Sequence, residues 1–148
     1  MAETSGNELA MLLKDFENVM MITKVNDASV HARPMRIADI ANDGGLYFAT
    51  SVQSPKVSEI AGDAAVSLIL QCTTKFAALH GVARVVRDKE LLDRLWSESW
   101  RAWFPGGKND PLLVLIKVEP HEAEFWDNTG LQGLSYAFNG AKAYIRGE

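Results

Sequence analysis

The chain predicts a mainly β fold, a β-barrel of six antiparallel strands with flanking helices, and three observations carry that reading. About six runs of β-forming residues follow one another, mostly across short turns. One of them, Lys75 to Arg87, is long and holds Gly81 in its middle, as expected where a sheet curls. Helical stretches between the strands are too few for the repeating βαβ units of a parallel sheet.

The elements follow in order. Ser5-Gly6-Asn7-Glu8 has the spacing of a capping box. Leu9, Leu12, Leu13 and Phe16 then recur at helical spacing, which predicts a helix to about Glu17 within an N-terminal segment 1–18. Val19 to Val25 is β-rich, Asn26-Asp27 turns the chain, and Val30 to Ile37 forms the next strand. Pro34 removes a ladder donor from that strand, so it belongs at an edge or a bulge, places that often adjoin ligands. Beyond the polar turn Asn42-Asp43-Gly44-Gly45, Leu46 to Thr50 is a third strand. Ser54 suits an N-cap and Pro55 the first position of a helix that stops near Gly62.

Ala64 to Gln71 is nearly all apolar, which predicts a strand buried on both faces. After the long strand, Asp88 caps a helix whose apolar face is Leu91, Leu92, Leu95 and Trp96. Trp100, Trp103 and Phe104 extend its aromatic character to Pro105-Gly106-Gly107, and the tryptophans are assigned to core or interface. Leu112 to Trp126 reads as a last strand or strand pair interrupted at Glu119-Pro120. The segment 130–148 is a tail in which Tyr136 to Ile145 forms a short helix or a docking segment. No repeat or linker divides the chain, so 1–148 is expected to be a single domain.

Composition narrows the function. The net charge of −4 argues against a general nucleic-acid binder, whose affinity comes from neutralising phosphates. A single cysteine, Cys72, excludes an internal disulfide and a multi-cysteine metal site, and His31, His80 and His121 are isolated. Gly-x-Ser-x-Gly, Gly-x-x-x-x-Gly-Lys and Gly-x-Gly-x-x-Gly are all missing. The first residues lack a basic, then apolar, signal sequence, and no run approaches the roughly 18 apolar residues of a membrane span. A soluble, cytoplasmic protein with no membrane partner is expected.

One stretch, His31 to Glu59, carries a candidate site. Lys56 lies in the first turn of the helix that Pro55 opens, where the helix dipole prefers an anion. A phosphate there would remove the conflict, drawing on free amides, the hydroxyls of Thr50, Ser51 and Ser54, and the Lys56 charge. The alternative is an ordinary capped helix with a solvated lysine. No carboxylate sits in a setting that suggests an acid–base pair, so any chemistry falls to a bound cofactor that the protein positions.

Read together, Arg33-Pro34-Met35 on one strand, Tyr47-Phe48-Ala49-Thr50-Ser51 on the next and Ser54-Pro55-Lys56 opening a helix resemble the pyridoxamine 5′-phosphate oxidase-like, FMN-binding split barrels. Trp103-Phe104-Pro105-Gly106-Gly107-Lys108-Asn109-Asp110-Pro111 and Glu124-Phe125-Trp126 resemble the general-stress-protein branch, and the likeness spans roughly residues 10 to 128. The resemblance implies a homodimer with flavin sites at the subunit interface. It places Arg33, Pro34 and Met35 along the flavin and Thr50, Ser51, Ser54 and Lys56 at the FMN phosphate. Lys75 and Phe76 would reach the neighbouring subunit's flavin, and Trp126 would supply a nearby aromatic. True pyridoxamine phosphate oxidases resemble one another in an Arg-x-His segment that this chain lacks after Trp126, and Pro55 replaces a second basic residue. The implied cofactor is therefore FMN, with FAD as the alternative. The implied function is flavin-dependent oxidoreduction of an unidentified small molecule, without vitamin B6 oxidation. A non-catalytic flavin carrier or stress sensor is the second hypothesis, and a dimeric interaction module that has lost flavin is the third.

Overall fold

The long strands organise the molecule. In the computed structural model, which describes residues 6–127, 134–139 and 142–147, helix α1 (Gly6–Leu13) leads into β1 (Asn18–Asn26) and β2 (Ser29–Arg36). The chain continues through β3 (Asp39–Ile40), β4 (Leu46–Ser51), α2 (Pro55–Gly62), β5 (Ala65–Gln71) and β6 (Lys75–Val86). Then come α3 (Lys89–Leu95), two 3₁₀ turns (Glu98–Ala102 and Gly107–Asn109), β7 (Leu113–Asp127), β8 (Leu134–Asn139) and β9 (Lys142–Gly147).

Every strand pair is antiparallel, in the order β2-β1-β5-β6-β7-β4-β3, with β8 on β7 and β9 on β8. The path holds seven strands where six were expected. The extra one, β3, is two residues long, too short to show a period of two. The segment expected as a helix or docking tail is instead the β8–β9 hairpin, whose backbone extends the sheet beside the far half of β7. This division is possible because β7 has 15 residues: Leu113–Val118 pairs with β4, and Glu122–Asp127 pairs with β8.

Glu119-Pro120 does not interrupt β7. The register against β6 slips once, between His80 and Gly81, and both strands continue. The first helix ends at Leu13 rather than Glu17, with Phe16 N donating to Leu13 O at 3.0 Å. The capping-box residue Ser5 lies outside the described residues.

Alternation sets the core. Val66, Leu68 and Leu70 of β5 point inward and are buried, whereas Ala65, Ile69 and Gln71 are exposed. The strand is therefore one-faced rather than buried on both sides. Val19, Met21, Phe48, Leu79, Ile116 and Val118 join them in the main core, together with Leu9, Leu13 and Phe16 from the α1 region. Full burial of each large side chain contributes roughly 1.5–3 kcal/mol.

A second, smaller core joins Leu92 of α3 and Phe104 to Leu113 and Leu115 of β7, with Trp96 and Trp100 packed against it. Asp88 caps α3 by accepting from Leu91 N at 3.2 Å. The helix stops at Leu95, short of the aromatic extension, because Ser97 begins a 3₁₀ turn, its hydroxyl accepting from Ser99 N. Gly107 closes the segment at φ +71°, a conformation that side chains rarely adopt.

Candidate functional site

Strands β2 and β4 do not pair with each other, and the seam between them opens a cavity of about 840 Å³. Pro34 to Ala38 form one wall, and Ala49, Thr50 and Ser51 form the second. Ser54 and Lys56 from the start of α2 lie at the same place, and residues between Leu95 and Phe104 close the far side. The volume falls within the roughly 300–1,000 Å³ of small-molecule sites. Pro34 stands on β2 where that strand has only β1 as a neighbour, so its missing N–H disturbs no ladder, as expected of an edge.

Lys56 gathers the polar groups. Its Nζ donates to Ser54 Oγ at 2.7 Å and to Thr50 Oγ1 at 3.0 Å. Ser54 sits at the N-cap with φ −65° and ψ 140°, but its hydroxyl makes no capping hydrogen bond and faces Lys56 instead. Ser51 Oγ accepts from Gln53 N at 3.2 Å on the same rim. Burial lowers the Lys56 pKa and the Arg33 charge lowers it further, while Glu59 opposes both. Among the described residues Lys56 has no carboxylate within ion-pair distance. A half-buried cation held only by hydroxyls is short of negative charge. An anion in the cavity would supply it and raise the pKa again.

Arg33 is placed differently. It does not border the cavity; its Nη2 donates to Glu59 Oε1 at 2.8 Å and its Nη1 to Thr23 Oγ1 at 2.9 Å. Thr23 Oγ1 in turn donates to Glu59 Oε1 at 2.8 Å, and His31 Nδ1 lies 3.2 Å from Glu59 Oε2. Hydrogen bonds from Thr23 and His31, together with the Arg33 charge, hold the Glu59 pKa below its ordinary value against the effect of burial. Arg33 and Arg36, three residues apart on an unbulged stretch of β2, project to opposite faces, and the packing of α2 on β1 draws Arg33 to Glu59. Arg36 is the one that borders the cavity.

Lys75, Phe76 and Trp126 lie away from this cavity, around a separate depression of about 120 Å³ that Asp15 also borders. Phe76 and Trp126 are cross-strand partners, and Lys75 Nζ donates to Asp15 Oδ2 at 2.7 Å. Of the ten residues singled out above, Pro34, Met35, Thr50, Ser51, Ser54 and Lys56 border the large cavity, whereas Arg33, Lys75, Phe76 and Trp126 do not. Sequence reasoning passed over Arg36, Trp100 and Trp103, which do border it. Arg36 could have been found by stepping two residues along the strand from Pro34. The tryptophans gave no such signal, because their spacing of three suits a core face equally well.

Three further properties bound the chemistry. Among the described residues no cluster of His, Cys, Asp and Glu is placed to hold a metal ion. Among the same residues no helix is long and apolar enough to cross a membrane. Among the described residues the cavity lining contains no carboxylate, histidine or cysteine, and Lys56 and Arg36 are its ionisable groups.

Comparison with known proteins agrees with this architecture. General stress protein 26 of Bacillus subtilis is 29% identical over 114 residues, covering 73% of this chain and 79% of that protein. The crystal structure of the general stress FMN/FAD binding protein from Xanthomonas citri superposes with a TM-score of 0.71 at 29% identity, covering 84% of this chain and 89% of that one. General Stress Protein 26 from Bacillus anthracis str. Sterne shares the fold, with a TM-score of 0.71 at 24% identity over 81% of this chain and 92% of that one. The sequence profile described as pyridoxamine 5′-phosphate oxidase like matches residues 5–148, and the chain belongs to that family.

Proposed function

We propose that this is a flavin-binding protein of the general-stress type, holding FMN or FAD in the seam between β2 and β4. The observation that carries the reading is Lys56: a half-buried cation on two hydroxyls, in the first turn of α2, facing a cavity large enough for a nucleotide. The donor set fits a phosphate monoester. Lys56 supplies charge, Thr50, Ser51 and Ser54 supply hydroxyls, and Pro34, Met35, Ile37 and Ala38 supply an apolar wall for a planar ring. A bound flavin would bring electron or hydride transfer, with an unidentified small molecule as the reaction partner. The chain's own part is to bind, orient and shield from water.

The same reading includes a homodimer. Pro34, Met20, Ile69 and Ala78 are successive cross-strand neighbours on one face of four strands, and Met20 and Ile69 remain exposed at 39% and 41%. A second copy covering that apolar row would bury it. Lys75, Phe76 and Trp126, outside this chain's own cavity, would then serve the flavin of the other subunit.

Titration with FMN and riboflavin, followed by flavin fluorescence, tests the assignment. Lys56→Ala is expected to weaken FMN binding by about 1.5–3 kcal/mol, the range for a charged hydrogen bond, and to leave riboflavin nearly unchanged. Wild-type affinity for FMN should also fall below about pH 6, where the phosphate takes up its second proton. An unchanged FMN affinity in the variant would overturn the assignment.

A second reading, a non-catalytic flavin carrier or sensor, is favoured by the cavity lining, in which no carboxylate, histidine or cysteine is found among the described residues. Mixing the flavin-loaded protein with NADH or NADPH separates the two. Rapid bleaching of the flavin identifies an enzyme, and inertness identifies a carrier.

A further inference from the structure

Lys56 differs from other lysines of the chain in what surrounds its amine. Lys24, Lys75, Lys89 and Lys117 each sit beside a carboxylate, and Lys14 and Lys108 are exposed. Lys56 is half-buried, with Nζ resting on Ser54 Oγ at 2.7 Å and Thr50 Oγ1 at 3.0 Å. Those two contacts and the bond to Cε take three of the four tetrahedral directions of the nitrogen. The fourth carries a proton in the ammonium form and a lone pair in the free amine.

The surrounding charges favour the free amine. Among the described residues the cavity lining holds no carboxylate or histidine to keep the proton, and its other ionisable group is Arg36 of β2. Behind the lining, Arg33 of β2 acts with burial to ease the proton off, and Glu59 of α2 opposes them. A desolvated lysine near a second cation is the setting in which an amine becomes a nucleophile close to neutral pH.

We infer that Lys56 of the flavin-free chain is a covalent capture site, a nucleophile that takes uncharged aliphatic aldehydes from the cavity as imines. The nitrogen lone pair attacks the carbonyl carbon, a C–N bond forms, and the π pair moves to oxygen. One amine proton passes to that oxygen, giving a carbinolamine. The nitrogen then expels the oxygen, which leaves as water with the second amine proton, and the C=N bond remains. No oxidant or reductant is consumed. The Ser54 and Thr50 hydroxyls, already hydrogen-bonded to the nitrogen, are placed to relay the protons. Pro34, Met35, Ile37 and Ala49 border the same space and suit an alkyl chain. The inference does not need a flavin; a phosphate on Lys56 would hold it as ammonium and block the reaction.

The test treats the flavin-free, full-length chain with limiting butanal and sodium cyanoborohydride, which fixes each imine as a butylamine, and reads the modified lysines by peptide mass spectrometry. At about pH 7 Lys56 should be modified roughly tenfold more than Lys108. The ratio should shrink by about pH 10, where ordinary lysines also lose their protons. Both lysines are read in the same wild-type molecule, so the answer does not depend on a variant folding. Lys56→Arg, which keeps the charge, should remove that one adduct and leave Lys108 modification unchanged. A Lys56 yield no greater than that of Lys108 at neutral pH would overturn the inference. A ratio that does not change with pH would also overturn it, because the preference would then reflect access and not a free amine. Added FMN should suppress the Lys56 adduct; if it does not, while the neutral-pH preference stands, the flavin reading fails and the capture site remains.

Discussion

Gly81→Ala is expected to destabilise the protein by about 3 kcal/mol, the upper end of the range for overpacking, lowering Tm by roughly 10 °C for a chain of this length. A Cβ built at Gly81 would lie 2.1 Å from Glu119 O, 2.8 Å from Glu119 C and 2.9 Å from Pro120 Cα. All three are backbone atoms, so no rotamer change can relieve the clash. Relief requires β6 and β7 to move apart where their register slips, between His80 and Gly81. These two strands share the most extensive pairing in the sheet, from Lys75 opposite Asp127 to Val86 opposite Leu115. Parting them would also strain β4, which hangs on β7 and carries Thr50 and Ser51 to the cavity. Urea unfolding should show the loss as a lower midpoint. Gly62→Ala, whose Cβ would meet nothing within 4 Å, is the matched control and should change stability by well under 1 kcal/mol. Equal midpoints for the two variants would show that the close approach at Gly81 does not constrain the fold.

The features legible in the sequence are those set by neighbours along the chain. Pro55 at the first helical position fixed where α2 starts, and Lys56 and Ser54 are two residues apart, so their meeting was foreseeable. Gly81 and Pro34 marked a bend and an edge because glycine and proline act on their own backbone. What escaped depends on distant partners. Arg33 could as well have faced a ligand, and only the packing of α2 on β1 delivers Glu59 to it across 26 residues of sequence. Trp100 and Trp103 became a cavity wall because α3 ended at Leu95 and the following 3₁₀ turn redirected them. The β8–β9 hairpin lacked a visible signal because its backbone is recruited by the free edge of β7, a long-range event that local propensity does not encode.

Glu59→Ala is expected to cost about 3 kcal/mol at neutral pH, the lower end of the range for removing one partner of a buried ion pair. The lower end applies because the Arg33 and Glu59 side chains retain 15% and 16% of their exposure. Without Glu59, the Arg33 guanidinium keeps only Thr23 Oγ1 at 2.9 Å and a long contact to Met21 O at 3.5 Å. Thr23, itself buried, loses the close acceptor of its hydroxyl and keeps only a long contact to His31 O at 3.5 Å. The pH dependence follows from the sign of the shift. Glu59 is held below its ordinary 4.5, so its contribution is fully present above that value and is lost as pH falls through the depressed folded value. Wild type should therefore show an acid limb in the urea midpoint that begins below about pH 4.5, and Glu59→Gln, which cannot ionise, should flatten that limb. Because Arg33 also depresses the Lys56 pKa, while Glu59 partly offsets it, Glu59→Gln should depress Lys56 further and strengthen its need for an anion. The variant would then be less stable than wild type when free, yet gain more stability from saturating FMN. A flattened acid limb with no extra gain from FMN would show that Arg33 and Glu59 are a structural pair with no hold on the cavity, and a limb identical to wild type would show that Glu59 does not carry the acid dependence.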